Sequence, residues 1–481
     1  MSVASELRRL ARHSVIYGFG GLVSRILAVL LLPLYTHYLT RSDYGAIETL
    51  IALTAVLVIV LRAGISSAFF RFYFDAQTPE ERTVVVRTSF WFTMTMATAG
   101  LIVGLVLADP IAQALNGMTP GLVRAAFLGL WAQMNYEQLT SLFRVEERSV
   151  QFSLASLANV IVTIAATVLL VVVWHQRALG VLVGNFTGTL VVYAVLLGYR
   201  RYQLGLQFDR SLFREMNRFG MPLVPSGLAL WAINFIDRIF LNTMSGAAET
   251  GLYSIGVRIS SVIIFLFTAF RTAWPAFAYS ISDDREARRT YGFVLTYLVA
   301  ICCWLSVALG LLAPWIVRVL TTPRFYPGAR VVPMLCFAAT AYAAYTVMAI
   351  GIGRARRTQF NWLITGAAAA LNIGLNFALI PSYGMIGAAI ATVAGYTLMF
   401  LLMTWNAQRI YPVSYQWRRV VTLVGAAVAL TLVGKLAHAP LAVAAALAAI
   451  YPLVLLPLGF YLPGERRRLR GLVSRGATAR V

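Results

Sequence analysis

Fourteen stretches of this chain are apolar for long enough to cross a bilayer, and only short polar connectors lie between them. They run over residues 14–38, 44–68, 88–108, 120–143, 152–174, 178–199, 219–243, 251–274, 291–313, 331–353, 359–380, 384–407, 420–434 and 440–462. A hydrocarbon core about 30 Å thick takes roughly 20 residues of helix. In lipid every backbone N–H and C=O must find a partner within the protein, which a helix provides along its own length. The expected fold is therefore an all-α polytopic membrane protein with 14 transmembrane helices. Composition leaves no room for a charged soluble surface, since 59% of residues are hydrophobic and 12% are charged.

The cationic side chains alternate with these stretches. All but Lys435 are arginine. With a cytoplasmic N-terminus, the inner connectors and tails hold 28 of them and the outer connectors 6, the outer set being Arg41, Arg177, Arg318, Arg324, Arg330 and Lys435. That bias predicts a multi-pass protein of the cell inner membrane with both termini cytoplasmic. The net charge of +22 does not point to nucleic acid, because the charges sit at span ends and not on one face of a folded domain. The first apolar stretch follows Arg8, Arg9 and Arg12 but lacks a small-residue cleavage site, so it reads as a retained helix. Cys302, Cys303 and Cys336 all fall in spans, two of them adjacent in sequence, and read as buried thiols.

The longest inner connector, residues 200–218, separates six spans from eight. The halves resemble each other. A slide of 206 residues places Gly45 on Gly251, Val56 on Val262, Ala63 on Ala269, Tyr73 on Tyr279, Glu80 on Glu286 and Arg82 on Arg288. A slide of 207 places Gly180 on Gly387 and Gly188 on Gly395. An even number of spans between copies gives them one orientation, hence a parallel repeat about a pseudo-two-fold axis along the membrane normal. The expected organisation is an N-lobe over 1–199, a connector over 200–218, a C-lobe over 219–407, and a final segment, 408–481, holding spans 13 and 14 with a basic tail. Each lobe has six helices. Gly180, Gly184 and Gly188, matched by Gly387, Ala391 and Gly395, form small-residue stripes that suit helix packing within each lobe, with a dimer interface as the other reading.

Three passages resemble the polysaccharide and lipid-linked oligosaccharide flippases of the multidrug/oligosaccharidyl-lipid/polysaccharide exporter superfamily. One runs from Ser14 to Leu50 and holds the Ser24-Arg25 pair and the Asp43-Tyr44-Gly45 turn. Another runs from Phe219 to Ser260 with Pro222, Pro225, Asp237-Arg238 and Gly251-Leu252-Tyr253; the third is the turn from Tyr383 to Ala388. The resemblance covers roughly residues 10–410. It implies two six-helix lobes facing each other around a central cavity and working by alternating access. It implies a substrate carried on an isoprenoid pyrophosphate, a polysaccharide repeat unit in preference to lipid II, with spans 13 and 14 shaping a groove for the isoprenoid tail.

Ionisable residues inside spans each cost about 2.5 to 3.5 kcal/mol at mid-helix and so call for an explanation. Arg25 lies 11 residues into span 1, roughly 16 Å deep, with no carboxylate at its depth in the neighbouring spans. Asp237 and Arg258 lie at similar depths, roughly 10 Å from the outer surface, and suit either a salt bridge pinning spans 7 and 8 or a direct substrate role. Arg238, about 100° round the helix from Asp237, is expected to face elsewhere. Arg62 and Arg271 sit within a turn or two of the inner ends of spans 2 and 8, and Arg124 at an outer edge, where snorkelling is the plain reading. The functional reading is a ladder for a travelling anion, with Arg62 and Arg271 at the inner mouth, Arg25 midway, and Arg238 and Arg258 toward the outside. A pyrophosphate favours such forked donors. Trp231, Phe235, Tyr253 and Trp274 are candidates to stack on sugar rings, or else interfacial anchors.

Acidic residues within spans are Glu48, Glu137 and Asp237. If transport is coupled to H+ or Na+, Asp237 is the first candidate. No resident cofactor or metal is expected, the other partners are membrane lipids, and the chain reads as a monomer. A membrane-embedded glycosyltransferase or polymerase would need carboxylates or histidines in a sizeable loop, and the largest outer connector, 313–330, has no Asp, Glu or His. The Asp283-Asp284 pair sits on a short connector, where a solvated turn is the simpler explanation. A multidrug cation antiporter would want a carboxylate-lined cavity, against the excess of intramembrane arginine.

Overall fold

The computed structural model describes residues 31–357 and 359–463, and every regular element among them is helical. In chain order these are α1 (Leu32–Tyr38), α2 (Arg41–Arg62), α3 (Ile65–Asp75), α4 (Pro79–Val106), α5 (Ala108–Ala114), α6 (Pro120–Val145), α7 (Ser149–Val168), α8 (Arg177–Arg200), α9 (Arg210–Gly220), α10 (Val224–Ser245), α11 (Ala247–Ser280), α12 (Asp284–Leu320), α13 (Val332–Arg354), α14 (Asn361–Ile410), α15 (Trp417–Leu436) and α16 (Leu441–Val454). Ten helices among the described residues are long and apolar enough to span a membrane, so the chain is a multi-pass membrane protein. Arg25 and most of the first expected span lie outside the described residues, as does the basic tail beyond residue 463.

The elements depart from the expected spans at their ends. The second stretch, read as one span to residue 68, breaks at Ala63 and Gly64, both with positive φ, and resumes as α3. Spans 11 and 12 form the 50-residue α14, interrupted at Gly384, where φ is 52° and ψ −131°. That conformation is open to glycine at little steric cost. At Gly384 the Glu249 carboxylate accepts the Met385 N–H at 3.1 Å, capping the second half of α14. α12 has 37 residues, roughly 55 Å of helix, and so outruns the hydrocarbon core.

The chain forms two compact units, each drawing on more than one stretch of the sequence. The first holds the described residues to Ile255, with Val319–Gly328 and Thr365–Thr392. Its core includes Ile65, Phe69, Phe90, Leu142, Phe143, Tyr193 and Met216, contributed by α3, α4, α6, α8 and α9. The glycine stripe of α8 packs against α7. A Cβ on Gly184 would lie 2.5 Å from the Thr167 Cα, and one on Gly188 2.5 Å from the Asn159 carbonyl oxygen, the close approach expected of helix packing inside one repeat. The second unit holds Gly256–Arg318, Ala329–Ile364 and the described residues from Val393. There Trp304 donates to the Ala448 carbonyl at 2.9 Å, and Tyr451 to the Leu423 carbonyl at 2.9 Å, fixing α16 to α12 and α15. The three cysteines are free and buried.

Candidate functional site

The site begins with the first turn of α2. Thr40 and Asp43 form a capping box, the Asp43 N–H donating to Thr40 Oγ1 at 3.1 Å and the Thr40 N–H to the Asp43 carboxylate at 2.9 Å. Residues Tyr44–Leu50 that follow are buried. A Cβ on Gly45 would sit 1.8 Å from the Ala247 carbonyl oxygen, and a Cβ on Gly251 2.2 Å from that of Arg41, so α2 and the start of α11 touch backbone to backbone. These are the two glycines that the offset of 206 superimposes. In the fold each meets the other's helix.

This approach sets Glu48, one turn farther along α2, against α10. The Arg238 guanidinium lies between two carboxylates, its Nε 3.6 Å from Glu48 Oε2 and its Nη1 3.3 Å from Asp237 Oδ1. Nη1 also donates to the Asn234 carbonyl at 2.6 Å, and the guanidinium sits 5.1 Å from the Phe235 ring centre. Asp237 Oδ1 accepts the Arg238 N–H at 2.8 Å, and its other oxygen accepts the Tyr253 hydroxyl. That hydroxyl is 3.2 Å from Thr392 Oγ1. Asp237, Arg238 and Glu48 are 2%, 5% and 8% exposed, and Tyr253 is wholly buried. Removing such charges from water costs several kcal/mol per ion, which pairing offsets only with added hydrogen bonds of this kind.

One sequence expectation is corrected here. Asp237 is held by Arg238 and Tyr253. Arg238 does not face elsewhere, because its long side chain curls back to the carboxylate of the residue before it. Around the cluster the halves of the sequence are joined at further points within the first unit. Asn116 Nδ2 donates to the Asn242 carbonyl at 2.7 Å and Asn242 Nδ2 to the Asn116 carbonyl at 2.9 Å. Thr322 Oγ1 donates to the Thr36 carbonyl at 2.9 Å, Trp231 to the Ala52 carbonyl at 2.9 Å, and Tyr44 meets Phe325 edge to face.

The remaining arginines separate. Arg62 is tied to a carboxylate: its Nη1 lies 2.8 Å from Glu137 Oε2, and Gln133 donates to the other Glu137 oxygen at 2.9 Å. Arg124 pairs with Asp109 at 3.2 Å, both well exposed. In the second unit Arg258 is half-buried on α11, and Arg271 is exposed and donates to the Tyr342 hydroxyl at 2.9 Å. Tyr342 lies within an aromatic group with Phe267, Tyr345 and Tyr396. Of the expected sugar-stacking aromatics, Trp274 is core, packed on Phe270 and Tyr291, and Tyr253 holds Asp237. Sequence reasoning did not reach the Asn116–Asn242 exchange or Tyr342. A lone Asn in a connector and a Tyr in a span carry no periodic signal.

Asp284, read as part of a solvated turn, is a tie point of the second unit. It accepts from Arg354 Nε at 3.0 Å and from the Tyr411 hydroxyl at 3.0 Å, with Arg288 3.5 Å away. The Tyr411 bond first, then Arg354 and Arg288, hold its carboxyl below the usual carboxylate value. Among the described residues no three His, Cys, Asp or Glu side chains converge as a metal site.

Residues 36–330 match the family described as polysaccharide biosynthesis protein. The chain is 26% identical over 206 residues to an uncharacterized membrane protein of Methanocaldococcus jannaschii, a match over 41% of this chain and 40% of that one, so it spans less than half of that relative. It is 22% identical over 312 residues to the Lsg locus putative protein 1 of Haemophilus influenzae, covering 61% of this chain and 74% of that one. Among solved structures, the lipid II flippase MurJ in an inward closed conformation superposes with a TM-score of 0.75 at 13% identity, over 92% of this chain and 98% of that one. An inward-facing multidrug resistance MATE family transporter of the MOP superfamily superposes with a TM-score of 0.59 at 16% identity, over 84% and 98%. The fold is thus shared with both, and by its match over more than half its length the chain belongs to the polysaccharide biosynthesis protein family.

Proposed function

We propose that this protein is a flippase that moves an isoprenoid-pyrophosphate-linked oligosaccharide, a polysaccharide repeat unit, from the inner to the outer leaflet of the bacterial cytoplasmic membrane by alternating access. The carrying observation is the buried Glu48–Arg238–Asp237 cluster, which joins the two sequence halves where the glycines of the repeat meet. A seam of a few polar groups can break and re-form, whereas a continuous apolar interface of the same extent would hold the halves together. In this reading 14 spans form two six-helix lobes with α15 and α16 appended, both termini are cytoplasmic, and the cluster is the closed outer gate.

Arg25, Arg62, Arg258 and Arg271 are the residues assigned to the travelling headgroup, and Arg238 to the gate. Arg62, clamped by Glu137, is released when a pyrophosphate outcompetes that carboxylate. Two carboxylates facing one guanidinium leave an anionic balance if both are ionised. Coupling to H+ or Na+ is accordingly assigned to Asp237. No enzymatic step is assigned.

A lipid II substrate is the second reading, favoured by the fold likeness to the lipid II flippase structure. The test is transport in proteoliposomes of a lipid-pyrophosphate oligosaccharide, scored as headgroup reaching the outer leaflet, beside lipid II. The proposal expects the oligosaccharide to move, and to move at least about tenfold more slowly with Arg25→Ala or Arg62→Ala. Transport of lipid II alone would replace the substrate, and unchanged transport in both variants would remove the arginines from the mechanism.

A further inference from the structure

The connector that leaves α8 is tied to α4 by hydrogen bonds yet turns large apolar side chains outward. Arg87 Nε donates to the Gln203 carbonyl at 3.2 Å and its Nη1 to Gln207 Oε1 at 2.9 Å. Trp91 Nε1 donates to the Gly205 carbonyl at 3.2 Å, and the Asp209 N–H to Thr88 Oγ1 at 3.2 Å. A segment so fixed would be expected to bury its apolar groups. Instead Tyr202 is 78% exposed and Leu206 91%, with Phe208 partly so. Between Leu206, Phe208 and the α4 residues Trp91, Phe92 and Thr95 lies an open, mainly apolar pocket of about 450 Å³, with Gln207 on its wall.

The helix that follows the pocket residue Phe208 in the chain, α9, is cationic on its outward face. α9 lays one face on the protein: Phe213 meets Phe92 at 4.8 Å between ring centres, Phe219 meets Phe72 at 6.4 Å, and Met216 is fully buried. The opposite face carries Arg210, Arg214 and Arg218 at successive four-residue steps, all exposed, and Arg201 is exposed at the connector's start. Of the nearby acids, Asp209 spends one oxygen on the α9 cap, accepting from Ser211 at 2.8 Å and Leu212 at 3.0 Å, and Glu215 is exposed. Arg200, where the connector starts, ends a helix apolar enough to span, so the pocket lies at membrane-boundary depth.

We propose that this pocket binds one anionic phospholipid of the adjoining leaflet, an acyl chain lying against Trp91, Phe92, Leu206 and Phe208 and the phosphate meeting the arginines of α9. The chemistry is that of an interfacial site: apolar surface that would be wasted in water, followed two residues on in the chain by a helix whose outward face carries forked donors for a phosphodiester. The bound lipid stiffens the one covalent link between the two halves of the sequence. The site is separate from the charge cluster and does not depend on the transported substrate.

The test uses the full-length, delipidated protein in detergent, with phosphatidylglycerol or phosphatidylcholine added and retained lipid counted by native mass spectrometry. Phosphatidylglycerol is expected to be held about tenfold more tightly than phosphatidylcholine. Arg210→Gln with Arg214→Gln, on an exposed face and so compatible with folding, should reduce that preference to near parity. Leu206→Ser should weaken retention of both lipids while the wild-type thermal transition is kept. Equal retention of the two lipids by the wild type, or unaltered phosphatidylglycerol retention in both variants, would overturn the proposal.

Discussion

At the scale of single residues, the buried charges are where stability and mechanism meet. Arg238 stands between two carboxylates, so Arg238→Gln leaves both facing each other in a site closed to water. The expected loss is about 3 to 5 kcal/mol, read as a large fall in the thermal transition of the protein in detergent. Tyr253→Phe removes one hydrogen bond to a carboxylate and should cost less, about 1.5 to 3 kcal/mol. A larger effect from Tyr253→Phe than from Arg238→Gln would mean that the guanidinium is not the group holding Asp237. The need to explain Asp237 and Arg238 was legible from their places in apolar stretches. Their pairing was not, because helical spacing fixes where a Cβ points and not where a long guanidinium ends. Glu48 was visible as an acid within a span, and its partner came from a helix 190 residues farther on, which no local pattern encodes.

At the scale of helices and connectors, close approach and capping do most of the positioning. Gly45→Ala places a methyl against the backbone of Ala247, so α2 and α11 must separate and the Glu48–Arg238 pair must lengthen. The expected outcome is a lower thermal transition together with faster hydrogen exchange at the start of α11; exchange no faster than wild type would show that the contact is slack. Asp284 makes a second, pH-dependent prediction. Its folded pKa lies below the usual carboxylate value, so the tie from α12 to Arg354 and Tyr411 is at full strength above that value and is lost as acid carries the pH down through the folded pKa. Protection from hydrogen exchange at residues 284–288, relative to the intrinsic rate at each pH, should fall in that acid range in the wild type, and at neutral pH in Asp284→Asn. That the chain is built of long apolar helices was readable from apolar length. Their ends were not, since α11, α12 and α14 run past the hydrocarbon and the break after Arg62 rests on two residues of positive φ.

At the scale of the whole molecule, the two glycines that the sequence offset aligns are in contact, Gly45 and Gly251 each pressed against the other's helix. The offset aligned them in sequence, and it carries no information on whether the aligned residues touch. The compact units cut α11, α12 and α14 because the first unit gathers segments of the second half of the sequence around α2 and α10. In the proposed cycle those segments part from α2 once per turnover. Cysteines at Asn116 and Asn242, whose side chains now exchange hydrogen bonds, would lock that seam on oxidation. The deciding measurement is transport of a lipid-pyrophosphate oligosaccharide in proteoliposomes by the Asn116→Cys, Asn242→Cys protein before and after reduction. The account predicts no transport when oxidised and recovery when reduced, and full transport by the cross-linked protein would contradict it.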